Sequence, residues 1–136
     1  MIILDTNAVD AVVQGRFDPQ EKYLDEYSIS VVTLGECLRG WILYPQNRTL
    51  AAVASLVRNL DESAILPYGP EEARVFARIA GRVTARKRIP DLMIAATAIV
   101  AGLPLVTFDT GLEAVARDLA ASGPPDLALV VHLLDI

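Results

Sequence analysis

Short apolar runs alternate along the chain with longer stretches in which apolar residues recur every three or four positions. The short runs are rich in isoleucine, leucine and valine, which is typical of strands buried on both faces of a parallel sheet. The longer stretches have the spacing of helices with one face against a core. This alternation predicts an α/β fold with helices on both faces of the sheet. The predicted strands are residues 2–5, 28–32, 64–67, 105–107 and 127–133.

Helices are predicted in the intervals between these strands, and glycine and proline mark their ends. The predicted helices cover residues 7–13, 20–26, 33–43, a segment after Pro45 that ends near Asn59, a segment after Gly69-Pro70, a segment from Asp91 to Gly102, and residues 112–121. No internal repeat, low-complexity tract or linker interrupts the pattern. We therefore expect one domain, residues 1–136, with a five-stranded parallel sheet.

Composition limits the function classes. Hydrophobic residues make up 53% of the chain, which is ample for a buried core. The one cysteine, Cys37, excludes an internal disulfide and a cysteine-based zinc site, and we expect a plain buried thiol. The opening M-I-I-L-D lacks the basic segment of an export signal, and Gly102 and Pro104 break the longest uncharged run. These features predict a soluble, cytoplasmic protein with no membrane association.

Basic residues are unevenly placed in a chain whose net charge is −5. Half of them fall in one segment without an intervening acid: Arg74, Arg78, Arg82, Arg86, Lys87 and Arg88. The four-residue spacing of the first four predicts a stripe along one helix. Such a stripe is either a solvated helix face or a track for a phosphate backbone that ends beside Asp91.

Four acidic residues stand where predicted strands give way to helices. They are Asp5, Glu36, Asp91 and Asp109. In a parallel sheet these junctions share the carboxyl edge, where open α/β folds bind ligands. Four carboxylates together repel one another unless protons or cations neutralise them, and oxygen ligands suit Mg²⁺ or Mn²⁺. The pattern predicts metal-dependent phosphoryl chemistry.

Helix capping is the alternative explanation for each acid. Thr33-x-x-Glu36 has the form of a capping box, and Asp91 follows Pro90 in a first helical turn. Asp5 and Asp109 are each suited to be N-caps. Four such junctions at one edge nevertheless favour a site. Four further acids are predicted to be plain surface residues: Asp10, Asp18, Asp61 and Asp118.

The motifs at these junctions resemble those of PIN-domain ribonucleases, and within that family those of VapC-type toxins of toxin–antitoxin pairs. The motifs are Asp5-Thr6-Asn7, Val32-Thr33-Leu34-Gly35-Glu36, Asp91-Leu92-Met93-Ile94-Ala95-Ala96-Thr97-Ala98 and Leu105-Val106-Thr107-Phe108-Asp109. They occur in the family's order and cover essentially the whole chain. The resemblance implies a five-stranded parallel sheet and an acidic pocket that holds Mg²⁺ or Mn²⁺.

The resemblance also implies roles for individual residues. Asp5, Glu36, Asp91 and Asp109 match the acidic set, with Asp5 and Asp91 expected to bind the metal directly. Thr6, Asn7 and Thr107 match polar positions that line or brace the pocket. Many relatives have arginine where this chain has Phe108, so one substrate-contacting charge is missing.

The implied function is that of a Mg²⁺- or Mn²⁺-dependent endoribonuclease that hydrolyses RNA with a metal-activated water. The expected partners are the RNA substrate, a cognate antitoxin and a second copy of the chain. The expected RNA-binding residues are Arg82, Arg86, Lys87 and Arg88. Two alternatives stay open: an RNA-processing nuclease without an antitoxin, and a non-catalytic PIN-fold module that binds RNA or protein.

Other folds with similar chemistry match less well. A phospho-acceptor receiver domain keeps a lysine after its last strand, whereas the lysines here are Lys22 and Lys87. A dehalogenase-type phosphatase needs aspartate where Asn7 stands. A dinucleotide enzyme needs a glycine-rich loop, which this chain lacks.

Overall fold

A five-stranded parallel sheet forms the centre of the structure, as the sequence predicts. The structure is a computed structural model and describes residues 1–23, 26–83 and 87–135. The strands are β1 Ile2–Leu4, β2 Tyr27–Ser30, β3 Ile65–Leu66, β4 Leu105–Thr107 and β5 Val131–Leu133. Their spatial order is β3-β2-β1-β4-β5, and every pairing is parallel. The predicted fold class is confirmed.

Helices connect the strands, and each predicted helix is present with shifted ends. They are α1 Thr6–Val13, α2 Pro19–Tyr23, α3 Val31–Leu43, α4 Arg48–Arg58, α5 Pro70–Ala80, α6 Ile89–Ala101 and α7 Thr110–Ser122. The predicted last strand was too long, because Pro125–Leu127 forms a 3-10 turn ahead of β5. Within the described ranges, no helix is both long and apolar enough to cross a lipid bilayer.

The two faces of β1 are buried in separate hydrophobic clusters. Ile3 packs in one cluster with Leu105, and its side chain is fully buried. Ile2 and Leu4 pack in the other with Ile29. Because both faces are covered, the strand is a continuous apolar run rather than an alternating one.

The position of β1 at the centre of the sheet determines where the site lies. Leu4 is in register with Ile29 of β2 and with Val106 of β4. The residues that follow these positions therefore leave the sheet at the same edge. This register brings Asp5 next to the end of β4.

The predicted strand 28–32 is present with shifted ends, as Tyr27–Ser30, and the alternative of a capping box at Thr33 and Glu36 is wrong. Helix α3 begins at Val31, and its N-cap is Ser30, whose Oγ accepts a hydrogen bond from the Val32 N–H at 3.1 Å. The serine is a better-placed cap because it ends β2 in extended conformation. Glu36 therefore lies further into the helix, and its carboxylate is available to other partners.

The predicted arginine stripe along one helix is also wrong. Helix α5 ends at Ala80, with Gly81 as its C-cap, so Arg82 lies beyond it. Arg78 forms an ion pair with Asp126 at 2.7 Å. The Arg82 guanidinium donates a hydrogen bond to the Ser122 carbonyl at 3.4 Å. Arg86 lies outside the described residues.

Candidate active site

A cavity of about 300 Å³ opens at the carboxyl edge of the sheet. It is lined by side chains from the ends of the central strands and from three helices: Asp5, Thr6, Asn7, Glu36, Lys87, Arg88, Asp91 and Asp109. All four acids that the sequence places at strand-to-helix junctions thus share one cavity. Thr107 is fully buried, and its hydroxyl bonds to the Asp5 carboxylate in the cavity wall.

Asp5 is held rigidly at the base of this cavity. One carboxylate oxygen accepts the Ala8 N–H at 2.9 Å and so caps α1, and the other accepts the Thr107 hydroxyl. Its side chain is almost fully buried. Burial raises the pKa of Asp5 to about 6, the two hydrogen bonds oppose that rise, and the charges of Asp109 and Asp91 add to it. The carboxyl is therefore costly to ionise in the absence of a cation.

Asp109 is placed by the turn from β4 into α7. Its N–H donates to the Thr107 hydroxyl at 2.9 Å, and its carboxylate accepts the Gly111 N–H at 2.8 Å. Thr107 therefore links Asp5 and Asp109 through one hydroxyl. Both acids are helix N-caps and also line the cavity, so the capping explanation and the site explanation hold together.

Glu36 is oriented by neighbours on two other elements. One carboxylate oxygen accepts the Thr6 hydroxyl at 2.7 Å, and the other lies 3.3 Å from an Arg88 guanidinium nitrogen. The Arg88 side chain is 73% exposed, so its guanidinium is open to solvent at the mouth of the cavity. Thr6, at a position predicted to line or brace the pocket, lines the cavity and donates to Glu36.

Lys87 places a positive charge among the carboxylates. Its ammonium bonds to Asp109 and lies 3.5 Å from Asp91. Burial lowers the pKa of Lys87, but the Asp109 hydrogen bond and the Asp91 charge outweigh burial and raise it overall. Burial likewise raises the pKa of Asp109, while Lys87 and the Gly111 N–H lower it overall. A β-carbon at Gly111 would lie 2.8 Å from the Lys87 side chain, so the glycine makes room for the lysine.

The donors in this cavity suit a hard divalent cation in kind. They are carboxylate oxygens, and two of them already hold the Lys87 ammonium. Among residues 1–23, 26–83 and 87–135, no three acidic, histidine or cysteine side chains are arranged to chelate one ion. Chelation by three carboxylates therefore requires side chains to turn away from Lys87 and Arg88.

Sequence reasoning missed a second cavity, of about 490 Å³, beside the first. Its lining is Asn7, Asp10, Gln14, Arg16, Phe108, Leu134 and Asp135. The Arg16 guanidinium lies over the Phe108 ring, 5.6 Å from its centroid. Arg16, in the turn after α1, thus puts a positive charge next to Phe108. Asp10, predicted to be a plain surface acid, is half-buried here, and burial raises its pKa.

Cys37 takes no part in either cavity. It is 3% exposed, and burial raises the pKa of its thiol to about 12, with the charges of Asp10 and Glu36 adding to the rise. A thiol with so high a pKa is not ionised near neutral pH and is a poor nucleophile. The structure agrees with the expectation of a plain buried thiol.

Comparisons with known proteins agree on the fold. A family model described as PIN domain matches residues 2–118. Ribonuclease VapC5 of Mycobacterium tuberculosis (strain ATCC 25618 / H37Rv) is 32% identical over an alignment of 126 residues, and the match covers 88% of this chain and 90% of that protein. The crystal structure of VapBC-5 from Mycobacterium tuberculosis, a member of the VapBC family of toxin–antitoxin systems, superimposes with a TM-score of 0.63 at 26% identity over 97% of this chain and 98% of that chain. VapBC2 from Rickettsia felis, bound to a DNA fragment from their promoter, has a TM-score of 0.70 at 17% identity over 99% and 100% of the chains, which shows the fold alone.

Proposed function

The chain belongs to the PIN-domain family, and from this we propose that it is a Mg²⁺- or Mn²⁺-dependent endoribonuclease, the toxin of a toxin–antitoxin pair. The observation that carries the proposal is one cavity lined by Asp5, Glu36, Asp91 and Asp109. The similarity to a protein named ribonuclease VapC5 supports RNA as the substrate class. Four carboxylates in one cavity repel one another, and a non-catalytic binding module has no function that requires such an arrangement.

The residues of the cavity have separable tasks in this proposal. Asp5 and Asp91 hold the metal directly, and Glu36 and Asp109 hold it directly or through water. The bound ion supplies an acidified water and a counter-charge for the phosphate. The Thr107 hydroxyl and the Ala8 N–H fix the orientation of the Asp5 carboxylate, so that carboxylate needs no reorganisation during reaction.

Two basic side chains are placed to receive the substrate. Lys87 and Arg88 line the same cavity as the acids and are paired with them. When a phosphate group enters the cavity, Lys87 and Arg88 can bind its oxygens instead of the carboxylates. The carboxylates are then free to bind the metal. In this proposal, binding of RNA therefore favours binding of the metal, and the reverse.

The proposed partners are an antitoxin and a second copy of the chain. VapBC-5 from Mycobacterium tuberculosis, whose chain is 26% identical, is a member of the VapBC family of toxin–antitoxin systems, which supports such a partner. A protein that presents an arginine or lysine to this acidic cavity would compete with RNA and metal together. An RNA-processing role without an antitoxin remains the second candidate, and a purified complex with a small partner protein separates the two.

The test of the function is cleavage of a mixed RNA pool by the purified protein. We expect cutting with Mg²⁺ or Mn²⁺, none in EDTA, and recovery when the metal is restored, because the carboxylates alone do not activate water. Fragment ends mapped by sequencing report where the chain cuts. Cutting that persists in EDTA, or a folded protein that neither cuts RNA nor binds Mn²⁺ by calorimetry, would contradict the proposal.

Arginine contacts to RNA are tested separately through their salt dependence. We expect Arg86→Ala combined with Arg88→Ala to weaken binding of single-stranded RNA, because each lost phosphate contact reduces the slope of log K against log salt by about 0.7. Fluorescence anisotropy over a salt series measures that slope. Arg117→Ala is the control, because Arg117 is exposed on α7 and does not line the cavity. An unchanged slope in the double variant would assign these arginines to a solvated surface.

A further inference from the structure

The second cavity shares a wall with the acidic cavity. Asn7, exposed in the first turn of α1, lines both. Asp109 lines the acidic cavity, and the preceding residue, Phe108, lines the second. When the phosphate of one nucleotide lies among the acids, the next nucleotide of the RNA can therefore reach the second cavity. We call the second cavity the Phe108 groove.

The turn after α1 fixes Arg16 at this groove. Gly15 has φ +70°, which favours glycine, and its N–H bonds to the Val12 carbonyl at 3.1 Å. The Arg16 N–H bonds to the Ala11 carbonyl at 2.9 Å, which completes a Schellman turn. An Arg16 guanidinium nitrogen also donates to the Gln14 side chain at 3.2 Å. Arg16 is thus held at both its backbone and its guanidinium group.

The ring of Phe108 lies flat beneath this guanidinium. The ring is partly buried against the hydrophobic cluster that contains Leu134, and this packing fixes the orientation of the ring. The Arg16 guanidinium lies 5.6 Å from the ring centroid. Aromatic rings and arginine planes are the surfaces on which proteins stack unpaired RNA bases.

The polar side chains of the groove determine which chemical groups can bind in it. Asp10 and Asp135 contribute carboxylates, and Asn7 and Gln14 contribute amides. Two carboxylates repel a phosphate and accept hydrogen bonds from N–H groups. Guanine is the base whose Watson–Crick edge presents two adjacent donors, N1–H and the N2 amino group, which suit a carboxylate.

We propose that the Phe108 groove is a specificity subsite for an unpaired guanine next to the phosphate that is cut. The base stacks on the exposed guanidinium of Arg16, which Phe108 backs from the other side, and Asp10 or Asp135 accepts from its Watson–Crick edge. The location of the cut rests on the proposed ribonuclease function, whereas the recognition of guanine does not. The two are therefore tested apart.

Binding is measured in an Asp91→Asn background, so that no probe is cut. The probes are short fluorescent uridine oligonucleotides that carry one guanine, adenine or cytosine, or none. We expect the guanine probe to bind most tightly. Phe108→Ala or Arg16→Ala should lower its affinity by about tenfold, as loss of a stacking partner does. Asp10→Asn with Asp135→Asn should remove the preference for guanine while leaving uridine binding in place.

Matched variants separate recognition from folding. Phe108→Trp retains a stacking surface and should keep the guanine preference, and Arg48→Ala removes an exposed arginine of α4 outside the groove. Equal binding of all probes, no binding of any, or a preference that survives Phe108→Ala and Arg16→Ala overturns the subsite. If the wild type does not cut RNA but the preference is present and lost in these variants, the ribonuclease proposal fails and the subsite stands.

Discussion

Asp91→Asn is expected to lower metal-dependent RNA cleavage by about a thousandfold or more. A ligand carboxylate contributes several kcal/mol through the cation that it holds, and each 1.4 kcal/mol is about tenfold in rate. Asparagine has nearly the same volume and remains compatible with the first turn of α6, where Asp91 lies. The side chain is also partly exposed, so the neutral amide remains in contact with water. We therefore expect the fold to be retained.

Single-turnover cleavage of one defined RNA measures this effect, with circular dichroism to confirm the fold. Asp18→Asn is the matched control, because it makes the same chemical change in the turn ahead of α2, outside the acidic cavity. Its side chain accepts the Gln20 N–H at 3.0 Å, which asparagine can also do. Near-normal cleavage by a folded Asp91→Asn protein would remove Asp91 from the metal site.

Asp5→Asn is expected to abolish cleavage and yet stabilise the metal-free protein by up to about 3 kcal/mol near pH 7.5. The pKa of Asp5 is raised to about 6 in the folded chain. Well below the ordinary value of 3.8 the group is protonated in both the folded and the unfolded states. As pH rises from about 3 to about 6 the unfolded chain ionises first, so stability falls, and well above pH 6 the full cost of about 3 kcal/mol is present. Asparagine removes that ionisation and still caps α1.

Urea denaturation in EDTA at pH 4 and pH 7.5 measures the gain, which should be small at pH 4 and close to its full size at pH 7.5. Asp109→Asn is the opposite control, since Lys87 and the Gly111 N–H outweigh burial and lower the pKa of Asp109. Its carboxylate stabilises the folded chain above its unfolded pKa, so that variant should lose stability at pH 7.5. Asp5→Asn unfolding at the same urea concentration as wild type at pH 7.5 would show that burial does not penalise this carboxylate.

Much of the sheet could be predicted from the sequence because its strands are buried on both faces. Ile2–Leu4 is apolar throughout and Leu105–Thr107 is buried throughout, and the acids just after them, Asp5 and Asp109, mark the carboxyl edge. Parallel pairing then brings Asp5 and Asp109 together without any knowledge of side-chain contacts. The metal-binding and catalytic roles of the acids remain predictions.

Helix ends and long-range side-chain pairs were harder to predict. The pattern Thr33-x-x-Glu36 matched a capping box, but Ser30 stands at the end of β2 and takes the cap first. The spacing of the arginines matched one helix, but α5 stops at Ala80.

The contact between Arg16 and Phe108 had no signal in the spacing of the chain. It depends on the left-handed conformation of Gly15, which sends Arg16 towards the end of β4. A glycine followed by arginine after a predicted helix is too common to indicate such a contact. Only the fold, which sets α1 beside β4, brings the two side chains together.

The central position of β1 also governs when the cavity can form during synthesis. Leu4 pairs with Val106, and Asp5 bonds to Thr107, so both contacts join residues about a hundred positions apart. Ribosomes add roughly 5–20 residues per second, so β1 waits for several seconds after its own synthesis before β4 exists. For a chain proposed to cut RNA, the acidic cavity is therefore completed only after residues 105–109 have been synthesised.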